Sequence, residues 1–144
     1  MGNGKTMSTD AVMKPSEVAA RLLAENKYRE AAQVLSEAIA EGESSELWND
    51  WAVVQYAMNE LADAERALRR ALALEAGNDQ AAENLGALLF SQRRLTEARP
   101  WLTQALRGAT GEKHEVLERL IGQCGENAAA ELGGGTASAK EAGA

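Results

Sequence analysis

The sequence predicts an all-α fold built from repeated pairs of antiparallel helices. Three observations carry that prediction. First, apolar residues recur with helical spacing and break only briefly. In 45–78, Trp48 and Trp51 open one periodic run, and Ala64, Leu68, Ala71 and Leu74 mark a second after the break around Met58-Asn59-Glu60. Second, the pattern repeats: Ala64, Leu68 and Ala71 return 34 residues later as Ala98, Leu102 and Ala105, and Ala31, Leu35 and Ala38 precede them by 33. A fixed period in this range marks a helical repeat array. Third, the 45% hydrophobic content is carried largely by Ala and Leu, with few β-branched runs, which favours helix over sheet.

The first pair opens at Lys14-Pro15-Ser16, where Pro suits the opening turn of a helix. Val18, Ala19, Leu22 and Leu23 give the apolar face, and Asn26-Lys27 marks the turn. Its partner is expected from Tyr28 to Glu41, ended by a left-handed Gly42. Ser44-Ser45 supplies N-cap hydroxyls to the next helix. The second pair ends at Ala76-Gly77-Asn78. The third runs from about Asp79 to Arg107, with Ala82, Leu85, Gly86 and Leu89 inward, then Ala98, Leu102, Ala105 and Leu106. Pro100 places the start of the last helix no earlier than Leu95, so that Pro lies near the first turn. A lone helix of about 113–124 follows, with Val116, Leu117, Leu120 and Ile121 on one side, where an array needs a cap over its exposed apolar end.

Outside the array, 1–14 reads as a flexible leader and 126–144, rich in Ala and Gly, as a tail or linker. The leader's GNGKT is no phosphate loop, lacking the earlier Gly and a preceding strand. Gly2 with Thr6 fits a permissive acylation pattern.

These residues resemble the tetratricopeptide repeat family, whose unit of about 34 residues alternates small and large apolar positions. The matching positions are Pro15, Val18, Ala19, Leu22, Ala31 and Leu35 in a first unit one residue short. In the second they are Trp48, Trp51, Ala52, Gln55, Ala64 and Leu68, and in the third Ala82, Leu85, Gly86, Leu89, Ala98 and Leu102. The resemblance implies a right-handed α-solenoid of three repeats (about 15–44, 45–78 and 79–112) closed by the capping helix, 15–125 in all. The Pro that commonly ends the family's second helix is replaced here by Ala76 and, one repeat on, by 108–110.

Function classes narrow by charge and by what is missing. With 22 acidic against 15 basic residues and a net charge of −7, the chain lacks the basic footprint for nucleic acid or an anionic membrane surface. No stretch reaches the ~20 apolar residues of a membrane span, and the amino terminus lacks a signal peptide's apolar core. A soluble, cytoplasmic protein is the expectation. His114 and Cys124, the single His and Cys, lie about 15 Å apart along one helix at 1.5 Å per residue and cannot form a catalytic pair. No metal or cofactor set is expected, and no enzyme activity. The arginines at 66, 69, 70, 93, 94, 99 and 107 read as a solvated face laced with pairs such as Glu65–Arg69.

The resemblance implies an inner wall made by the first helix of each pair. Leu23, Glu46, Asn49, Val53, Tyr56, Glu83, Ala87 and Phe90 are the expected partner-binding residues on it. Relatives that grip a peptide carboxylate use Lys, Arg and Asn there; this chain has Ser16, Ala20, Asp50, Gln80 and Asn84, so that clamp is absent. The expected function is a non-catalytic protein-interaction module that takes a peptide or partner segment. The alternatives are an accessory region of a transferase-type enzyme and a structural unit with weak self-association.

Overall fold

The computed structural model describes residues 13–126, which form seven helices and no strand among the described residues. They are α1 (Pro15–Ala24), α2 (Tyr28–Glu41), α3 (Ser45–Ala57), α4 (Leu61–Leu74), α5 (Asp79–Ser91), α6 (Leu95–Gly108) and α7, over 111–126. The expected leader falls outside the described residues up to position 12, and the expected tail from position 127, while Glu126 is still helical. The chain divides into two compact units, one ending at Asn78 and one beginning at Asp79.

In the first unit α1 packs on α2 and α3, α2 on α3, and α3 on α4. Ala19, Ala31, Leu35 and Val54 form its first core, with Leu22, Leu23, Tyr28, Leu47 and Trp51 packed against it. Ala64, Leu68 and Ala71 are buried as expected, each at most 3% exposed. Leu74 is not: it is 42% exposed at the last residue of α4, and Leu72 takes the inward position. Trp48 and Trp51 are half-buried rather than enclosed. Trp48 reaches the surface, where its indole Nε1 donates to Glu43 Oε1 at 2.9 Å.

In the second unit α5 packs on α6. Leu85, Leu89, Ala98 and Leu102 are fully buried, and Leu117 and Cys124 are the buried residues of α7. Val116, expected inward, is 38% exposed. Gly86 is where the two helices come closest: a Cβ there would lie 2.7 Å from Leu102 Cγ and Cδ2 and 3.1 Å from its backbone N.

The turns inside the pairs follow one design. Asn26, Asn59 and Arg93 take φ of 62°, 62° and 64°, so a left-handed residue recurs with the repeat. After each, a backbone N–H reaches five residues back: Lys27 to Leu22, Glu60 to Gln55 and Arg94 to Leu89 at 2.8, 2.8 and 2.9 Å. This is the hydrogen-bonded helix end that a left-handed C′ residue allows. Gly42, expected to be left-handed, has φ 174° and is extended backbone. Pro100 also departs from expectation. It stands inside α6, well past the first turn, and its ring is exposed. Thr96, whose carbonyl loses its helical donor, is exposed as well, so water can satisfy it.

Candidate functional site

α3 is the helix most closely surrounded in the first unit, and its sequence shows why. Ser45, Asn49, Ala52, Val54 and Gln55 are buried, so partners cover it on more than one side. The Ser44 hydroxyl caps it by accepting from Leu47 N at 3.1 Å. Ser45 does different work from the expected capping: its Oγ donates to Ala71 O at 2.8 Å and accepts from Asn78 Nδ2 at 2.7 Å. Of its large apolar side chains α3 leaves Val53 37% and Tyr56 56% exposed, three residues apart and hence about one helical turn.

Beside that stripe α1 and α3 enclose a small pocket of about 90 Å³, lined by Ser16, Ala19, Ala20, Leu23, Asp50, Val53 and Val54. Its walls are apolar apart from Ser16 and Asp50. Asp50 is half-buried, and its Oδ2 is buried with no hydrogen-bond partner. Burial pushes its carboxyl up from the ordinary value, a hydrogen bond from Ser16 pulls it down, and the nearby Glu46 charge pushes it up again. The net direction is upward, because desolvation of the charged form outweighs one hydrogen bond.

The eight residues expected on the inner wall divide as follows. Leu23 and Val53 line this pocket together, Tyr56 lies a turn further along α3, and Glu46 is exposed in its first turn. Asn49 is a correction: it is 7% exposed, turned into the packing rather than to the rim. One residue from Asp50 along the helix is enough to face it the other way.

In the second unit Glu83 and Ala87 line a cleft of about 460 Å³ with Leu102 from α6 and Lys113, Val116, Leu117 and Leu120 from α7. Lys113 Nζ meets Glu83 Oε2 at 2.9 Å across its rim. Phe90 is half-buried and is not among that cleft's lining residues. The half-exposed Val116 explains itself here, since it forms the cleft wall.

The sequence reading gave Asp50 no part beyond the absence of a carboxylate clamp. The signal that could have singled it out is an acid in mid-helix between Asn49 and Trp51, one turn before Val53 on a half-buried helix. Among the described residues no group of three or more His, Cys, Asp or Glu is placed to hold a metal, and no helix is long and apolar enough to cross a membrane. Cys124 is fully buried, and burial pushes its thiol up, with Arg99 opposing, which keeps it from being a thiolate nucleophile. The His114 ring lies 3.3 Å from Ala109 O and 3.3 Å from Glu118 Oε1, an ordinary first-turn arrangement.

Comparison with known proteins fits this architecture. No curated protein matches the sequence. Among solved structures, the first repeat domain of Spaghetti (RPAP3), bound to the HSP90 peptide SRMEEVD, superposes with a TM-score of 0.70 at 20% identity, covering 80% of this chain and 90% of that one. The Yersinia enterocolitica type III secretion chaperone SycD, in complex with a peptide of the translocator YopD, gives 0.69 at 14% identity, covering 82% and 95%. The TPR2B domain of yeast Sti1 in its Hsp70 complex gives 0.66 at 12% identity, covering 78% and 98%. The family model for the tetratricopeptide repeat matches residues 49–113. With its recurring small and large positions and its repeated left-handed turns, the chain has the fold of these tetratricopeptide repeat domains, and residues 49–113 carry the match to the family.

Proposed function

We propose that this protein is a non-catalytic interaction module that holds a segment of another protein against the open stripe of α3 and the adjoining α1–α3 pocket. The observation that carries the reading is the exposure of the apolar Val53 and Tyr56, at 37% and 56%, on consecutive turns of a helix whose Asn49, Ala52, Val54 and Gln55 are buried. Apolar side chains left open on a rigid, well-packed element suit an incoming apolar anchor. Support also comes from the structural neighbours: two of them are recorded with bound peptides, from HSP90 and from YopD.

The peptide SRMEEVD is acidic, and this chain would not take such a ligand in the same way. At the positions where carboxylate-gripping relatives place Lys, Arg and Asn, it presents Ser16, Ala20, Asp50, Gln80 and Asn84. The carboxylates of Glu46 and Asp50 repel an acidic tail, so the partner is of another kind.

The test is site-specific photocrosslinking. A benzophenone side chain at position 56 should capture a defined partner segment, identified by mass spectrometry. The same group at Ala40, exposed on α2, should capture none or unrelated proteins. Equal capture from both positions contradicts the reading.

A further inference from the structure

The first unit leaves an apolar surface open and begins with a chain that can reach it. Val53 and Tyr56 are 37% and 56% exposed, and Tyr56 stands 33 residues after Leu23, one repeat on, so the two occupy matching places on α3 and α1. Immediately before α1, Met13 is half-buried, and its Sδ accepts from Arg21 Nη1 at 3.8 Å. The chain therefore enters the fold against the side of α1 that carries the exposed Ala20, Arg21 and Ala24. Ala20 also lines the α1–α3 pocket. Met13 and the pocket thus share the exposed side of α1, and at the two alanines that side is low enough for a chain to lie close.

Resting on the interaction-module reading, we propose that the chain's own leader, residues 1–12, occupies this surface through Met7 until a partner segment displaces it. Its length fits. α1 has 10 residues and rises about 15 Å, and Met7 stands six residues before Met13, about 20 Å of extended chain. Turned back along α1, that chain brings Met7 to the level of Leu23 and Tyr56. Val12, next to Met13, falls short, and Met1 arrives only with slack chain between, at added loop entropy. Its chemistry fits as well. A thioether side chain with three rotatable bonds moulds itself to irregular apolar surface and to an aromatic ring, here Leu23, Val53 and Tyr56. Residues 1–12 carry one Lys and one Asp, so their side chains bring no net charge against the acidic Glu46 and Asp50. A tethered occupant bound about two-thirds of the time lowers a partner's apparent affinity about threefold, which makes the leader a brake on the site.

The test places a nitroxide at position 9 of the isotope-labelled full chain through Thr9→Cys; Cys124 is fully buried and stays unlabelled. The NMR amide signals of Leu23, Val53 and Tyr56 should lose intensity. Met7→Ser should restore it, while Met7→Leu, which keeps an apolar anchor, should not. With a benzophenone at position 56, partner capture should rise about threefold in Met7→Ser and stay at the wild-type level in Met7→Leu. Intensities that are undiminished, or diminished equally in Met7→Ser, mean a leader that is tethered nearby without docking, and overturn the proposal. Broadening that arises only between a spin-labelled chain and a second, isotope-labelled one gives the surface to another copy and also overturns it. In either case, partner capture at position 56 leaves the interaction-module reading standing. The predicted broadening pattern with no partner captured by any of the chains overturns that reading instead, and the braking role with it.

Discussion

Ser45 and Asn78 lie 33 residues apart, yet the Asn78 Nδ2 donates to the Ser45 Oγ at 2.7 Å while that hydroxyl donates to Ala71 O. The pair ties the start of α3 to the end of α4 and to the last residue of the first unit. Ser45 is 7% exposed, and its removal takes from Ala71 O one of two donors, Glu75 N remaining, and from the Asn78 amide the hydroxyl it donates to. Ser45→Ala should cost about 1–2 kcal/mol, read by urea denaturation. A loss below about 0.5 kcal/mol, the size of a neutral surface change, would show that the network does not hold the helix ends.

Gly86 should tolerate no side chain. An alanine there gains about 1 kcal/mol in helix propensity, but its Cβ would sit 2.7 Å from Leu102 Cγ and Cδ2. Leu102 is fully buried and has nowhere to swing, and overpacking of this kind costs about 1–3 kcal/mol. The clash wins, so Gly86→Ala should lower the unfolding free energy and Gly86→Val should lower it further. An alanine variant more stable than the wild type would show that α5 and α6 can separate freely.

Arg93 is the weak member of the three left-handed turn residues. Asn tolerates this region and Gly has no Cβ to clash, whereas an ordinary residue there costs about 1–2 kcal/mol. Arg93→Gly should therefore stabilise the chain by about 1 kcal/mol, seen as a rise in the thermal midpoint. Asn59→Gly should change it much less. Equal effects at both positions would remove the conformational explanation.

The buried carboxyl of Asp50 makes a pH prediction with a definite sign. Its folded form keeps the proton to a higher pH than the ordinary 3.8, so between that value and the raised one the folded state binds more protons than the unfolded. The contribution of Asp50 to stability therefore falls as pH rises through that window. Asp50→Asn removes the charge, and at pH 7 it should be more stable than the wild type by about 1 kcal/mol, the low end for a buried unpartnered polar group. The gap should close toward pH 3. A variant less stable than the wild type at pH 7 would mean that Oδ2 finds a donor in solution.

The repeat was legible in the sequence because its packing depends on residue size at fixed intervals. Ala31, Ala64 and Ala98, with Leu35, Leu68 and Leu102, are all buried as their periodicity implied. Periodicity does not reveal how far a large side chain at a helix start is covered, and Trp48 and Trp51, which open a periodic run, lie half-buried. Trp48 sits at a surface held by Glu43, whose carboxyl Arg70 and then Trp48 hold below its usual range. Leu74 and Val116 failed for a related reason, since each occupies an apolar register where the neighbouring element ends or leaves a cleft. Of the residues that the resemblance places on the wall, Val53 and Tyr56 are exposed, and Leu23 and Val53 line one pocket. Asn49 could not be separated from Asp50 at that level, because a rotation of about 100° per residue decides which of the two faces inward. The unpartnered oxygen of Asp50 is a three-dimensional fact with no counterpart in a string of letters.

The most direct test of the account is an NMR titration of the isotope-labelled full chain with the partner segment captured at position 56. The predicted result is a set of amide shifts centred on Ala20, Leu23, Val53 and Tyr56, with the exposed residues of α2 unmoved and the affinity lowered in Tyr56→Ser. Shifts centred on α2 or α4 instead, or an affinity unchanged in Tyr56→Ser, would contradict it.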